Sequence, residues 1–338
     1  MRIPKSGTKG TWLVAIILIV AIIVTFLVNL NLGVISIQPI DVIKTLLGYG
    51  NANDSMVLFY FRLPRIVIAI LIGAGMAISG AILQSVTHND LADPGIIGIN
   101  AGAGFAVVLY IYLFQNSTPD LSSLSIFMLP LCSLAGALVA ACLIYAISWK
   151  KGISPIRLIL VGIGINSAFA ALIIMIQLRM DPNDFTRAQV WLSGDISGTD
   201  WTYVLALLPW IVILIPLALY QSNVLNALHL GDDIAKGLGT NVERHRLFLL
   251  FIAVALAGSS VAVGGGIAFV GLVTPHLSKR LVGVKHQSFL PITALMGALL
   301  LVISDTIGRN ILSPSEIPVG LIVSMVGGTY FIYLLMKS

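Results

Sequence analysis

The sequence predicts an all-α membrane protein of ten transmembrane helices, and three observations predict it. Of 338 residues, 58% are hydrophobic and only 10% are charged, whereas an average soluble domain is about a quarter charged. Apolar runs near the roughly 20 residues that a bilayer demands fill almost the whole chain, with short polar breaks between them. Lysine and arginine are divided unevenly between alternate breaks. One helical membrane domain covering 1–338 is therefore expected, not two soluble ones.

The first run, 12–30, follows Arg2, Lys5 and Lys9. It is longer than the apolar part of a signal peptide and lacks a small-residue cleavage site, so it reads as a retained span. Further spans are expected at 63–85, 95–114, 126–148, 156–177, 201–220, 247–263, 267–281, 290–308 and 318–336. An even count puts both termini on one side. The connections on that side, with the termini, hold thirteen Lys and Arg, including Lys150, Lys151, Lys236, Arg246, Lys279 and Lys285; the opposite set holds Lys44, Arg62, Arg65, Arg179, Arg187 and Arg309. Basic residues collect in the cytoplasm, so both termini are expected there in a multi-pass cell-membrane protein. Acids run the other way: Asp41, Asp54, Asp120, Asp181, Asp184, Asp195, Asp200, Asp305 and Glu316 fall outside or at the outer lip. Arg62 and Arg65 thus sit on the face that positive residues avoid, and they need another reason to be there.

Small residues recur four apart at Gly73, Ala77 and Ala81, at Gly98 and Gly102, and at Gly320, Ser324 and Gly328. That spacing lets helix backbones approach closely and predicts a tightly packed bundle. Residues 38–48 place Pro39 at a helix start and Gly48 at its end, with Ile40, Ile43 and Leu47 on one face, which predicts a short external helix. The longest cytoplasmic connection, 228–246, repeats Leu230, Ile234 and Leu238 at i, i+4 and i+8 against Asp232, Asp233 and Lys236. Early acids and late glycines suit a short capped helix. Its acidic polar face favours a protein partner over anionic lipid.

No enzyme chemistry stands out. His88, His229, His245, His276 and His286 are scattered through loops and span ends as solvated or capping side chains, with no metal-binding motif. Cys132 and Cys142 lie ten apart in one apolar stretch and read as packing residues. No Gly-x-x-x-x-Gly-Lys-Ser/Thr loop occurs, so this chain is not expected to hydrolyse nucleotide; no catalytic residue, metal, cofactor or nucleic acid is expected. Ion-driven carriers keep ionisable relays at membrane depth, and the span interiors hold almost none.

Four blocks carry a resemblance: "RLPRIVIAILIGAGMAISGAILQ" with "HNDLADPGIIGINAGAG"; "WLSGDIS"; "GDDIAKGLG"; and "GGGIAFVGLVTPHLSKRLVG" leading to "SDTIGRNILSPSEIPVG". In order and spacing the chain resembles the FecCD-type (iron-siderophore and cobalamin) permeases of bacterial ABC importers, from residue 62 nearly to the C-terminus. The resemblance implies a type II ABC importer permease fold. It also implies a machine of two permease subunits, identical or different, two cytoplasmic ATPases and an external substrate-binding protein, working by alternating access. It implies that Arg62, Arg65 and Arg309 dock acidic residues of the binding protein, a role suited to guanidinium forks. Leu230, Gly231, Asp232, Asp233, Ile234, Lys236, Leu238 and Gly239 match the coupling helix that fits the ATPase. Asn89 and Leu91 match a cytoplasmic gate, with Asp90 where relatives carry proline. Two further departures are Asp195, where serine is usual, and Lys285, where an acid is usual. Ferric siderophore is the cargo the family implies most often; cobalamin or haem on the same machinery, and an ion-coupled secondary transporter, stay open at this stage.

Overall fold

The computed structural model describes residues 8–31, 38–95, 97–114, 123–150 and 155–337. Arg2, Lys5, Lys151 and Asp120, which entered the charge comparison, lie outside them. Every described element is helical: α1 Thr8–Asn31, α2 Pro39–Leu46, α3 Ala52–Met56, α4 Leu63–Thr87, α5 Ile99–Leu113, α6 Ser123–Ser148, α7 Pro155–Gln177, α8 Pro182–Leu192, α9 Trp201–Tyr220, α10 Ser222–His229, α11 Asp232–Gly237, α12 Val242–Gly264, α13 Val270–Val282, α14 His286–Asn310 and α15 Val319–Lys337. All ten expected spans meet a helix, in α1, α4 to α7, α9 and α12 to α15.

Among the described residues, seven stretches are long and apolar enough to cross a membrane, and α5 and α15 are shorter apolar helices. The tenth, α13, has 13 residues and is about 20 Å long, less than the hydrocarbon thickness. Irregular backbone at membrane depth survives only inside protein or along a water-filled cavity, and in the 265–269 stretch before α13 Gly265 and Ile267 are buried and the other three partly so.

The bundle is built around α4 and α12. Their apolar windows are 78% buried, against 50% for α14, 17% for α1 and 11% for α7, so these two are the hub, with α14 packed on it and α1 and α7 at the periphery. Close approach makes the hub possible. A Cβ on Gly73 would fall 2.3 Å from the Gly297 carbonyl oxygen, and one on Gly80 would fall 2.0 Å from that of Gly271. Gly102 meets Gly136 in the same way. The predicted small-residue spacing works along α4, but Gly98 caps α5 from the left-handed region and no heavy atom lies within 4 Å of a Cβ on Gly328.

Three helical segments exceed the sequence reading, one of them α10, Ser222–His229, which directly continues the span α9. Before the expected start at 63 the helix already runs through α3 and a π-helical turn, Val57–Arg62. Pro64 accounts for the wide turn, because a proline ring clashes with the carbonyl four residues earlier, here that of Tyr60. Helix α8 lies in what reads as a loop; its signal is Asp181, whose carboxylate accepts from the amides of Asn183 and Asp184, followed by Pro182 in the first turn.

Candidate functional site

Polar side chains gather at the two ends of α4, which its 25 residues place roughly 37 Å apart. At the first end, "RLPR" puts Arg62 and Arg65 three residues apart on one helix face. Both are buried, at 3% and 8% exposure, as is Arg309 at 8%. The guanidinium groups that the resemblance assigns to docking are thus not freely exposed. Arg65 spends its whole fork within the chain: Nε donates to Asp305 Oδ1 at 2.8 Å, Nη2 lies 2.8 Å from the same oxygen, and Nη1 donates to Glu316 Oε2 at 2.6 Å. Arg309 Nη1 donates to Asn29 Oδ1 at 2.7 Å, and Asn29 Nδ2 donates to Thr306 at 2.8 Å. Arg62 donates to the Leu30 carbonyl.

The physical reason is desolvation. A cation removed from water is tolerated only when its donors meet acceptors, and the ends of α1, α4 and α14 and the stretch before α15 supply them. Three cations face two carboxylates, so the cluster keeps one net positive charge. Glu316 is its open member, with a side chain 34% exposed against 0% for Asp305.

Three of the four sequence blocks meet deeper in the bundle. The Gly266 amide donates to the Trp191 carbonyl at 3.2 Å and that of Gly320 to the Gly194 carbonyl at 2.9 Å. Asn100 Nδ2 donates to the Ile267 carbonyl at 3.0 Å. Gly194 and Gly265 have φ of +76° and +71°, and a Cβ on Gly265 would lie 2.2 Å from the Trp191 oxygen; only glycine fits both the conformation and the space. The glycines of "WLSG", "GGGI" and "PVG" are thus one structural knot. Asp195, the departure after "WLSG", accepts from the Ser197 amide at 2.9 Å and turns the chain there.

At the other end, α4 stops at His88, which is left-handed at φ +51° and donates from Nε2 to the Leu228 carbonyl at 2.7 Å. Asn89 Oδ1 accepts from the Leu91 amide at 2.9 Å, tightening the turn, and Leu91 is exposed. Asp90 pairs with Lys279 of α13, which also donates to Gln84 Oε1 at 3.2 Å. Burial pushes the Asp90 carboxyl up, but the Lys279 bond and charge, with smaller help from His276 and His229, hold it below the usual carboxylate range. A depressed pKa gives stabilisation that is present above the unfolded value and lost only as acid titrates the folded carboxylate. The Asp90–Lys279 tie is therefore intact at neutral pH and braces the turn that follows α4 against α13.

Three of the five histidines, His88, His229 and His286, meet where α4, α10 and α14 pack together. His286 is buried, lies 2.8 Å from Ser85 Oγ through Nε2 and 2.8 Å from Asn226 Oδ1 through Nδ1, and its ring is 6.1 Å from that of His229. Burial, with the nearby Lys279 cation, lowers the His229 pKa. These rings pin α10 to α14 and α4. Residues 85 and 88, and 226 and 229, stand at helical i, i+3 spacing, but no spacing joins the two pairs to each other or to 286, so only the fold reveals the cluster.

The predicted knob is a helix shorter than its leucine repeat. Leu230 closes α10, Gly231 precedes α11 at φ +106°, and Leu238 and Gly239 follow it, Gly239 at φ +81°. Leu230, Ile234 and Leu238 are 58%, 54% and 66% exposed and form an apolar tip. Asp233 and Lys236 stand in solvent, with a 3.9 Å ion pair that contributes little. Asp232, expected on the exposed polar face, instead pairs with Arg246 of α12 at 2.6 Å. In the sequence Arg246 stands out only as a positive charge in a connection.

Residues 19–337 match the FecCD transport family. The chain is 54% identical over 334 residues to the iron(3+)-hydroxamate import system permease protein FhuG of Bacillus subtilis (strain 168), covering 99% of each. It is 41% identical to the iron-uptake system permease protein FeuC of the same organism, over 95% of this chain and 96% of that protein. A solved inward-facing structure of a metal-chelate type ABC transporter superposes with a TM-score of 0.81 at 30% identity, covering 96% and 99% of the two chains. Sequence and fold agree along nearly the full length, and the chain belongs to the FecCD transport family.

Proposed function

We propose that this chain is the transmembrane permease subunit of a binding-protein-dependent ABC importer for ferric siderophores. The observation that carries the reading is the 54% identity, end to end, with a permease of iron(3+)-hydroxamate import. Both termini and the apolar tip at Leu230, Ile234 and Leu238 face the cytoplasm, where the tip fits a cleft on an ATPase. The arginine cluster faces outward, towards a binding protein that carries the selectivity. A second permease subunit completes the pathway, and the 88–95 turn with Asn89 and Leu91 gates its inner end. ATP binding closes the ATPase dimer and swings the permeases between outward and inward states; hydrolysis resets them.

Proteoliposomes holding this chain, its ATPase and its binding protein are expected to take up a ferric hydroxamate siderophore only with ATP and the binding protein. Uptake driven by a proton or sodium gradient without ATP overturns the reading in favour of a secondary transporter.

Burial of the arginines changes how docking works. An incoming carboxylate finds every Arg65 nitrogen engaged, so it enters by displacing half-exposed Glu316. Glu316→Gln removes the competing charge and is expected to tighten binding-protein affinity about fivefold, of the order of 1 kcal/mol for a partly exposed pair. Titration of the binding protein against permease in nanodiscs measures it. Weakened binding would mean that Glu316 presents the fork instead of blocking it.

A further inference from the structure

The α11 segment is poorly anchored by packing: Ala235 is its one buried residue, and positive-φ glycines flank it on both sides. A short helix between two such turns can rotate without moving anything else. Yet one strong tie crosses to the next helix. Arg246, one turn inside α12 and 2% exposed, donates from Nη2 to Asp232 Oδ1 at 2.6 Å. Asn241 Oδ1 accepts from the Arg244 amide at 3.2 Å and fixes the start of α12. The Thr240 amide closes α11 onto the Ala235 carbonyl at 3.0 Å. Segment 231–246 is thus a braced elbow, and its long arm is one of the two hub helices.

We propose that Arg246 is a positioning residue that converts α11 and α12 into one lever, so that displacement of the apolar tip is delivered to the bundle hub. The inference rests on the reading of that tip as the ATPase contact. A charge-assisted bond from a buried guanidinium is directional and stiff, whereas the 238–241 turn alone would absorb the movement by rotating about Gly239. Asp232, part-exposed but tied to Arg246, is accordingly a strut, and the apolar contact with the motor is made by Leu230, Ile234 and Leu238.

The test uses the full complex in proteoliposomes. Arg246→Gln is expected to keep the ATPase bound through several purification steps while siderophore delivered per ATP falls about tenfold. Arg246→Lys, which keeps the charge and one donor, retains most of the coupling. Asp232→Ala lowers it as Arg246→Gln does, and the double variant is no worse than either single one, because both remove the same bond. Coupling that stays at the parental level in a folded Arg246→Gln complex overturns the proposal. So do losses that multiply in the double variant, or an Arg246→Gln permease that releases its ATPase. Should Arg246→Gln not fold, Asp232→Ala against Arg246→Lys decides on the same readout. A permease with Leu230, Ile234 and Leu238 all replaced by glutamate separates the two readings: if it still holds the ATPase, the tip is not the contact, whatever Arg246 does.

Discussion

Replacing Arg65 with glutamate is expected to leave little folded protein in the membrane, not merely to block docking. The Asp305 carboxylate has no exposure and takes two of the Arg65 donors. Removing one partner of a buried pair costs about 3–5 kcal/mol because the other charge is left uncompensated. Glutamate adds a third carboxylate beside Asp305 and Glu316 and raises that cost further. Since whole domains are stable by about 5–15 kcal/mol, the variant sits near the edge of folding. Fluorescence-detected gel filtration in detergent and a thermal melt measure the loss. Arg65→Met combined with Asp305→Leu is expected to recover much of the folded yield, because apolar replacement of both partners removes the burden that single replacement exposes. An Arg65→Glu protein that folds normally and loses only binding-protein stimulation would show that the guanidinium faces solvent in the working transporter.

That expectation differs from anything the primary structure supports, and the reason is long-range pairing. Hydropathy locates the ten spans because each is a local property of about 20 residues. Charge asymmetry likewise needs only the sign of each loop. The partners of Arg65 and Arg309 lie at 29, 305 and 316, and no period connects those numbers. Only Asp305 and Arg309 stand at helical i, i+4 spacing, where they read as lip residues of one span. Asp232 and Arg246 are closer in sequence, but the 238–241 turn decides that they meet. The quoted blocks marked the right stretches without showing that "WLSG", "GGGI" and "PVG" form one knot. Helix α8 is legible locally, since Asp181 and Pro182 announce its start.

Glycines divide in the same way, and the sharpest contrast is between Gly80 and Gly328. Gly80 follows the small residue Ala77 by three positions and Gly328 follows Ser324 by four, and both spacings put the pair on one helix face, so sequence alone does not separate them. In the fold Gly80 lies against the Gly271 backbone, with the three nearest atoms between 2.0 and 2.5 Å from its would-be Cβ, whereas Gly328 meets nothing within 4 Å. Backbone atoms cannot swing away as a side chain does, so Gly80→Ala must push α13 off α4. Overpacking a filled interior costs typically about 1–3 kcal/mol, and a backbone neighbour puts Gly80→Ala at the upper end, with Gly80→Leu beyond it. The damage extends to the inner turn. Gln84, one helical turn along, donates to the Gly271 carbonyl at 3.2 Å and accepts from Lys279, the residue that holds Asp90. Separation of α4 from α13 therefore loosens the proposed gate while the arginine end stays formed. Gly80→Ala is expected to lower the melting temperature by several degrees and to raise labelling of a cysteine placed at Leu91, while Gly328→Ala is neutral or slightly stabilising through helix propensity. Equal effects of the two substitutions would mean that α4 and α13 do not touch at Gly80, and that Lys279 is not positioned to hold the turn.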